Sequence, residues 1–227
     1  MKISVIVPCY NEEKILPDSI KKIEQFFFKY RKKYDYELIF VDDGSSDKTK
    51  DILSEYALHK SGFKAILCDK NRGKGYAVRK GLLSALNKVC VVLDADLSVK
   101  PDNILSIVPK KYPHLTIGLR YQVEKQPIYR RFVGWVFALI VRVLFQWKPK
   151  DTQCPWKVLQ NIDKRFIKNL NIDGFAYDVE LLYNAIKQKI PVSYMDVEYH
   201  NNPDSRVTIL KTIRMGLDLL KIRFDFL

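Results

Sequence analysis

Asp94-Ala95-Asp96 follows Val89-Cys90-Val91-Val92-Leu93, so an apolar run delivers two carboxylates, two residues apart, into a loop. Oxygens at that spacing can hold Mg²⁺ or Mn²⁺, hard cations that usually complete their shell with phosphate oxygens of a substrate. Asp-x-Asp is also common in solvated turns, and the pair alone leaves both readings open. A second polar segment, Asp42-Asp43-Gly44-Ser45-Ser46-Asp47, places a carboxylate just past Val41, where it can accept hydrogen bonds from a base or ribose. Gly44 and Ser46 suit a turn and a helix cap, but neither role requires adjacent aspartates. A third segment, Asn71-Arg72-Gly73-Lys74-Gly75, mixes cations with pliant backbone ahead of a helical stretch, a credible cradle for phosphate with Lys74 at its centre. It is not a Walker A loop, since no Ser or Thr follows Lys74, nor a dinucleotide fingerprint, since Val78 stands where a third glycine belongs.

These segments need elements to aim them. Short β-branched runs at Ile3 to Val7, Leu38 to Val41, Lys64 to Cys68 and Val89 to Leu93 alternate with helical stretches at about Glu12 to Tyr30, Asp47 to His59 and Tyr76 to Leu86. That alternation predicts βαβ units around a mostly parallel sheet, with Ser46 or Asp47 capping the second helix. Every polar segment falls at the carboxyl end of a strand, where open α/β sheets bind ligands. Beyond Pro101 the pattern predicts a short helix, a strand near Thr116 to Leu119, a basic apolar segment from Tyr129 to Lys150, a helix near Asp178 to Gln188 and a strand near Val192 to Tyr199. Val207 to Leu227 reads as one amphipathic helix. Lys211, Arg214, Asp218, Lys221 and Asp225 form its polar stripe, and Ile209, Ile213, Leu217, Leu220, Phe224 and Leu227 face the other way.

The chain has 227 residues, 47% of them hydrophobic and 12% aromatic, enough for one packed domain. Its net charge of +13 points to an anionic partner: nucleic acid, anionic lipid or a phosphorylated substrate. Cys9, Cys68, Cys90 and Cys154 are scattered, with no zinc-ligand spacing, which suits reduced thiols in the cytosol. The run Ile3 to Cys9 is too short for a spanning helix and lacks a cleavage site, and Phe132 to Val141, the longest uncharged apolar stretch, has 10 residues against the roughly 20 a bilayer requires. The expectation is a chain with no signal peptide and no span.

In order, "VIVPCYNEE", "VDDGSSDKT", "NRGKGYAVRKG" and "VVLDADLS" resemble the nucleotide-sugar half of glycosyltransferase family 2, whose members have the GT-A fold. The stretch Lys150-Asp151-Thr152-Gln153-Cys154-Pro155-Trp156-Lys157, with "FAYDVELLY" and "SRVTILKTIRMGLDLLKIR", is similar to the branch of that family that uses polyprenyl phosphates. The resemblance implies a Rossmann-like, mostly parallel sheet flanked by helices, with a nucleotide-sugar half at 1–100, an acceptor half at 101–206 and an amphipathic helix at 207–227. It sets Pro8, Tyr10, Glu12 and Asp42 around the nucleoside. The Asp94-Ala95-Asp96 segment then meets the diphosphate through Mg²⁺ or Mn²⁺, with Ser98 completing the polar shell. Arg120 and Arg206 face phosphates, and Asp178 orients the acceptor. Without the resemblance, Arg120 reads equally as a solvated strand-end cation, Arg206 as an interfacial charge and Asp178 as a helix N-terminal carboxylate. The sequence departs from the family pattern at Pro155-Trp156 and at Pro203 to Arg206.

Arg130-Arg131 opens a segment that is apolar almost all round through Trp147, and Arg142 lies three helical turns beyond Arg131, on the same face of a continuous helix. Such a helix suits a membrane interface, with Arg130 and Arg131 on head groups or on an acceptor phosphate. A buried helix with snorkelling arginines and a subunit interface are the other readings. The implied reaction is inverting transfer of a hexose, with UDP-glucose ahead of GDP-mannose, onto dolichyl phosphate, by a protein held peripherally on the cytoplasmic face of a membrane. A basic membrane-binding module without catalysis is the alternative from another class, but it gives Asp94 and Asp96 no task. Nucleic acid is not expected as a partner, because no recognisable motif interleaves aromatic and basic residues. Oligomeric state is not legible.

Overall fold

The computed structural model describes residues 1–122, 128–146, 150–200 and 209–224. Strand β1 (Lys2–Cys9) runs parallel between β2 (Asp35–Asp42) and β4 (Val89–Val92), and β3 (Phe63–Leu67) adds parallel to β2. Inside the sheet, β1 reads as an almost unbroken apolar run: Ile3, Val5, Ile6 and Val7 have no exposed surface. The seven-stranded sheet has the order β3-β2-β1-β4-β6-β5-β7, with β5 at His114–Gln122, β6 at Lys157–Gln160 and β7 at Val192–Tyr199. Strand β6 is antiparallel to both β4 and β5, and β5 pairs parallel with β7. Lys157 therefore sits level with Val92 on one side and Ile117 on the other, at the edge where β4 delivers Asp94.

The helices are α1 (Leu16–Lys29), α2 (Thr49–His59), α3 (Lys74–Ser84), α4 (Ile128–Phe145), α5 (Lys164–Lys168), α6 (Tyr177–Lys187) and α7 (Ile209–Phe224), with a 3-10 turn at Pro101–Ser106. In α1, Leu16, Ile20, Ile23, Phe26 and Phe27 recur at helical spacing and are buried, with Pro17 and Asp18 in the first turn and Lys29 in the last. It starts later than the expected Glu12: the Glu12 and Glu13 amides donate to Thr49 Oγ1 at 2.7 Å and to Asp47 Oδ2 at 3.1 Å, and the Glu12 carbonyl accepts the Leu16 amide at 2.9 Å. The N-cap position of α2 falls on Lys48 and not on the expected Ser46 or Asp47, while Asp47 Oδ1, one residue further out, accepts the Thr49 amide at 3.0 Å. Strand β6 and helix α5 have no counterpart in the sequence expectation. The polar stripe expected for α7 is corrected. Met215, Asp218, Leu219 and Ile222 face inward, while Leu217, Leu220 and Phe224 are exposed.

His114 opens β5, with Nε2 2.8 Å from Ser193 Oγ of β7. Burial, helped by Lys110, holds its pKa below the ordinary 6.5. The folded chain thus takes up the imidazole proton less readily than the unfolded chain, so His114 adds no penalty above the unfolded pKa and destabilises progressively as pH falls below it. The urea midpoint of the wild type is expected to fall between pH 7.5 and 5.5 by more than that of His114→Gln, which keeps the hydrogen bond; equal falls would show that His114 is not the group responsible.

Candidate active site

The loops after β1 and β2 are knitted into one surface. Asp42 is fully buried at the end of β2, and its carboxylate accepts from the Ser45 amide at 3.2 Å and from the Ser45 hydroxyl. That hydroxyl accepts the Asn11 amide at 2.8 Å, and Asn11 Oδ1 accepts the Ser46 amide at 2.8 Å. Asn11 takes φ +55, in the left-handed region that asparagine enters more readily than other non-glycine residues. Pro8, Tyr10 and Glu12 flank this contact and keep part of their surface open. Cys9 between them is buried, and burial together with Glu12, Asp42 and Asp94 pushes its thiol well above the ordinary range.

Asp43 performs a task the sequence did not reveal. Its buried carboxylate accepts the Arg72 amide at 3.0 Å and the Gly73 amide at 2.7 Å, pinning the loop before α3. Gly44 makes the close approach possible: it has φ +68, and a Cβ there would lie 2.4 Å from the Lys70 carbonyl carbon. Lys74 is the first residue of α3 and reaches into the site. Its Nζ lies 2.6 Å from Asp94 Oδ1 and 2.8 Å from Oδ2. Burial favours the neutral amine, but Asp94, Asp178 and Asp96 outweigh it and hold the Lys74 pKa above its ordinary value. Burial keeps the Asp94 carboxyl above the usual carboxylate range although Lys74 pulls the other way. The turn after β4 is tight: the Leu97 amide donates to the Asp94 carbonyl at 3.0 Å, Leu97 has φ +48, and Asp96 Oδ1 accepts the Ser98 amide at 2.9 Å. A cleft of about 500 Å³ opens beside Asp96, lined by Phe26, Tyr30, Leu97, Lys100 and His200 among others.

The donor set fits a divalent metal in one particular way. Asp94, Asp96 and the Ser98 hydroxyl are hard oxygen ligands. Among the described residues no three His, Cys, Asp or Glu side chains converge on a point, so a metal held by Asp94 and Asp96 would draw further ligands from elsewhere, as phosphate oxygens can supply. Asp94 Oδ1 is buried and accepts no aligned hydrogen bond among the described residues, although the Lys74 charge is beside it.

On the far side of Asp94 the sheet supplies a second charged group. Lys157 has no exposed surface, and its Nζ lies 2.7 Å from Asp178 Oδ1 and 2.5 Å from the Cys154 carbonyl. Tyr177 lies beneath it, 5.5 Å from ring centroid to Nζ. Burial, Asp178 and Asp94 together push the Tyr177 phenol well above its ordinary pKa. Arg120 is gripped by Asp151, with Nε to Oδ2 at 2.7 Å and Nη2 to Oδ1 at 3.0 Å, and its guanidinium lies 5.4 Å from the Tyr199 ring. Desolvation works against that cation, yet Asp151 outweighs it and raises the Arg120 pKa. The structure thus gathers Asp94, Ala95, Asp96, Ser98, Lys74 and Asp178 at one edge, and ties Arg120 to Asp151 beside Tyr199. Arg206 lies outside the described residues. Arg130 and Arg131 fall in the first turn of α4, and their side chains also lie outside them. Sequence reasoning missed Asp43, Asp151, Lys157, Tyr177 and Tyr199. A lone lysine opening the apolar run Lys157-Val158-Leu159 was the signal available for one of them.

A mostly parallel sheet with one reversed strand, carrying a two-carboxylate platform at the carboxyl end of β4, defines a glycosyltransferase of the GT-A fold. Residues 4–153 match the model of glycosyl transferase family 2, and the chain belongs to that family. It is 34% identical to the dolichyl-phosphate beta-glucosyltransferase of Homo sapiens, over 100% of this chain and 76% of that one. It is 31% identical to the enzyme of the same name from Dictyostelium discoideum, over 99% of this chain and 75% of that one. Among solved structures, glucosyl-3-phosphoglycerate synthase from Mycobacterium tuberculosis in complex with UDP superposes with a TM-score of 0.68 at 16% identity, covering 99% of this chain and 79% of that one. A complex of that synthase with Mn²⁺, UDP and phosphoglyceric acid superposes with a TM-score of 0.64 at 17% identity, covering 97% and 76%.

Removing one partner of the Lys157 and Asp178 pair strands a buried charge, whereas removing both does not. Lys157→Met is expected to lower unfolding free energy by about 3–5 kcal/mol in urea titrations, and Lys157→Met with Asp178→Leu to recover to within about 1.5 kcal/mol of wild type. A double variant as unstable as the single one would mean that the pair is not the source of the loss.

Proposed function

We propose that this glycosyltransferase moves glucose from UDP-glucose onto dolichyl phosphate at a membrane surface. The observation that carries the reading is likeness along essentially the whole chain to dolichyl-phosphate beta-glucosyltransferases, joined to the Asp94 and Asp96 platform on a GT-A sheet. The knitted loops around Pro8, Tyr10, Glu12 and Asp42 would receive the uridine. Lys74, Arg120 and Arg206 would face the diphosphate. Bound Mg²⁺ or Mn²⁺, held by Asp94 and Asp96 with Ser98 adjacent, would supply neutralisation of charge on the departing nucleoside diphosphate.

A lipid phosphate has a second pKa of about 6 and arrives as an anionic nucleophile, so no strong general base is required. That agrees with an Asp178 engaged by Lys157. Asp178 would orient the acceptor, and Arg130 and Arg131 would hold its phosphate. In-line attack at the anomeric carbon would invert it, giving a β-linked lipid product from an α-linked donor.

The lipid would reach the site from helices α4 and α7, which touch where Arg223 Nε donates to the Leu144 carbonyl at 3.0 Å. Their outer surface exposes Trp135, Leu139 and Val143 on one helix and Leu217, Leu220 and Phe224 on the other. An apolar face on a chain of net charge +13 suits insertion into an anionic interface, and the proposed setting is peripheral, on a cytoplasmic membrane face. No described helix is long and apolar enough to cross a membrane.

The deciding assay follows labelled sugar from UDP-glucose, and separately from GDP-mannose, into organic-extractable lipid with dolichyl phosphate and Mn²⁺. Label from UDP-glucose alone is expected; label from GDP-mannose alone would replace the donor, and label from neither would overturn the reading. Asp96→Asn should reduce turnover on the order of 100-fold or more while leaving vesicle binding intact. Trp135→Ser with Leu139→Ser should weaken sedimentation with phosphatidylserine vesicles by about 10-fold or more, leaving turnover on a short, water-soluble prenyl phosphate unchanged.

A further inference from the structure

Lys74 raises a question that the proposed reaction leaves open. Its ammonium straddles both oxygens of Asp94, at 2.6 and 2.8 Å, with only 17% of the lysine side chain and 27% of the aspartate side chain exposed. A metal bound through Asp94 needs at least one of those oxygens, and two cations on one shielded carboxylate repel. We propose that Lys74 is an internal counter-cation that competes with the divalent metal for Asp94 and moves onto the diphosphate as the nucleotide arrives, so that metal and nucleotide bind cooperatively.

The local build suits such a move. The backbone beneath Lys74 is fixed, because Asp43 holds the Arg72 and Gly73 amides. Gly75 is packed so tightly that a Cβ there would lie 2.3 Å from the Ile172 carbonyl and 2.6 Å from Tyr177 Cβ. The lysine stem, a flexible four-carbon chain, can therefore swing while α3 stays in place. Asp178 and Asp96 add to the negative surroundings of an ammonium whose direct partner is Asp94. A diphosphate entering the site would offer the ammonium a new direct partner. A metal arriving alone must displace the ammonium without offering it a new partner, whereas metal and nucleotide together exchange one ion pair for another. Linkage then requires each to tighten the other by the same factor.

The inference rests on the proposed metal site, and the test separates the two. Mn²⁺ binding to the full chain is followed by the electron paramagnetic resonance signal of free Mn²⁺, with and without saturating UDP. For the wild type, UDP should tighten Mn²⁺ by at least about 5-fold. Lys74→Met should tighten Mn²⁺ in the absence of UDP by about 5-fold or more and shrink the UDP effect, while Lys74→Arg, which keeps a cation there, should retain the wild-type pattern. A Lys74→Met protein that binds Mn²⁺ no better than wild type, with UDP still promoting binding, would overturn the competition and leave the metal site standing. No Mn²⁺ binding by either protein, with or without UDP, would remove both. Should Lys74→Met fail to fold, a wild type whose Mn²⁺ affinity ignores UDP would be enough to overturn the proposal.

Discussion

Carboxylates crowded at one edge of a sheet repel one another, and the rest of this structure depends on how that crowding is compensated. Asp42, Asp43, Asp94, Asp96 and Asp178 all end up there, most of them well shielded from water. Each shielded carboxylate has an internal partner. Ser45 serves Asp42, two backbone amides serve Asp43, Lys74 serves Asp94, and Lys157 serves Asp178. Asp43 is the structural member, for it holds the loop that sets the starting point of α3 and hence the reach of Lys74. With Asp94 and Asp96 in one tight turn and Ser98 beside them, a metal held there would still have positions to fill from a diphosphate.

How far the fold could be read from the sequence follows from where each segment is buried. Strands β1, β2 and β4 lie inside the sheet and are mostly buried, so their composition announced them, while β3 is a half-exposed edge strand set between two helical stretches. Strand β6 is four residues long and opens with a lysine, so no periodicity marks it. In α7 the apolar residues spread around much of the helix, and the stripe containing Asp218 looked polar; the structure buries that aspartate beside Met215, Leu219 and Ile222. Helical spacing says which residues share a face, but not which face meets the domain.

The site divides in the same way. Asp94, Asp96 and Lys74 belong to local patterns, and a motif that lies within one loop can be read without knowing what packs against it. Asp43 reaches 29 residues along the chain to the Arg72 amide, and Arg120 reaches 31 to Asp151, distances over which sequence spacing carries no information. Arg120 looked like a cation waiting for phosphate, and the structure shows it already gripping a carboxylate. Its planar fork uses two donors on Asp151 and leaves others for a substrate, so an internal pair and a phosphate contact are compatible.

Strand β6 runs backwards between the two halves of the sheet, and that polarity divides the chain's inventory by direction. Along β1, β2 and β4 the residues proposed to meet the donor come at the carboxyl end of the strand or just past it: Pro8 and Asp42 are still paired, and Asp94 and Asp96 lie beyond Val92. At β6 the same edge is reached on the way in: Asp151 and Cys154 precede the strand and Lys157 opens it. One rim is thus written by strand exits and by a strand entrance, with no shared connecting loop. Insertions or exchanges in the segment ahead of β6 can remodel the proposed acceptor side while the nucleotide loops keep their lengths and their register.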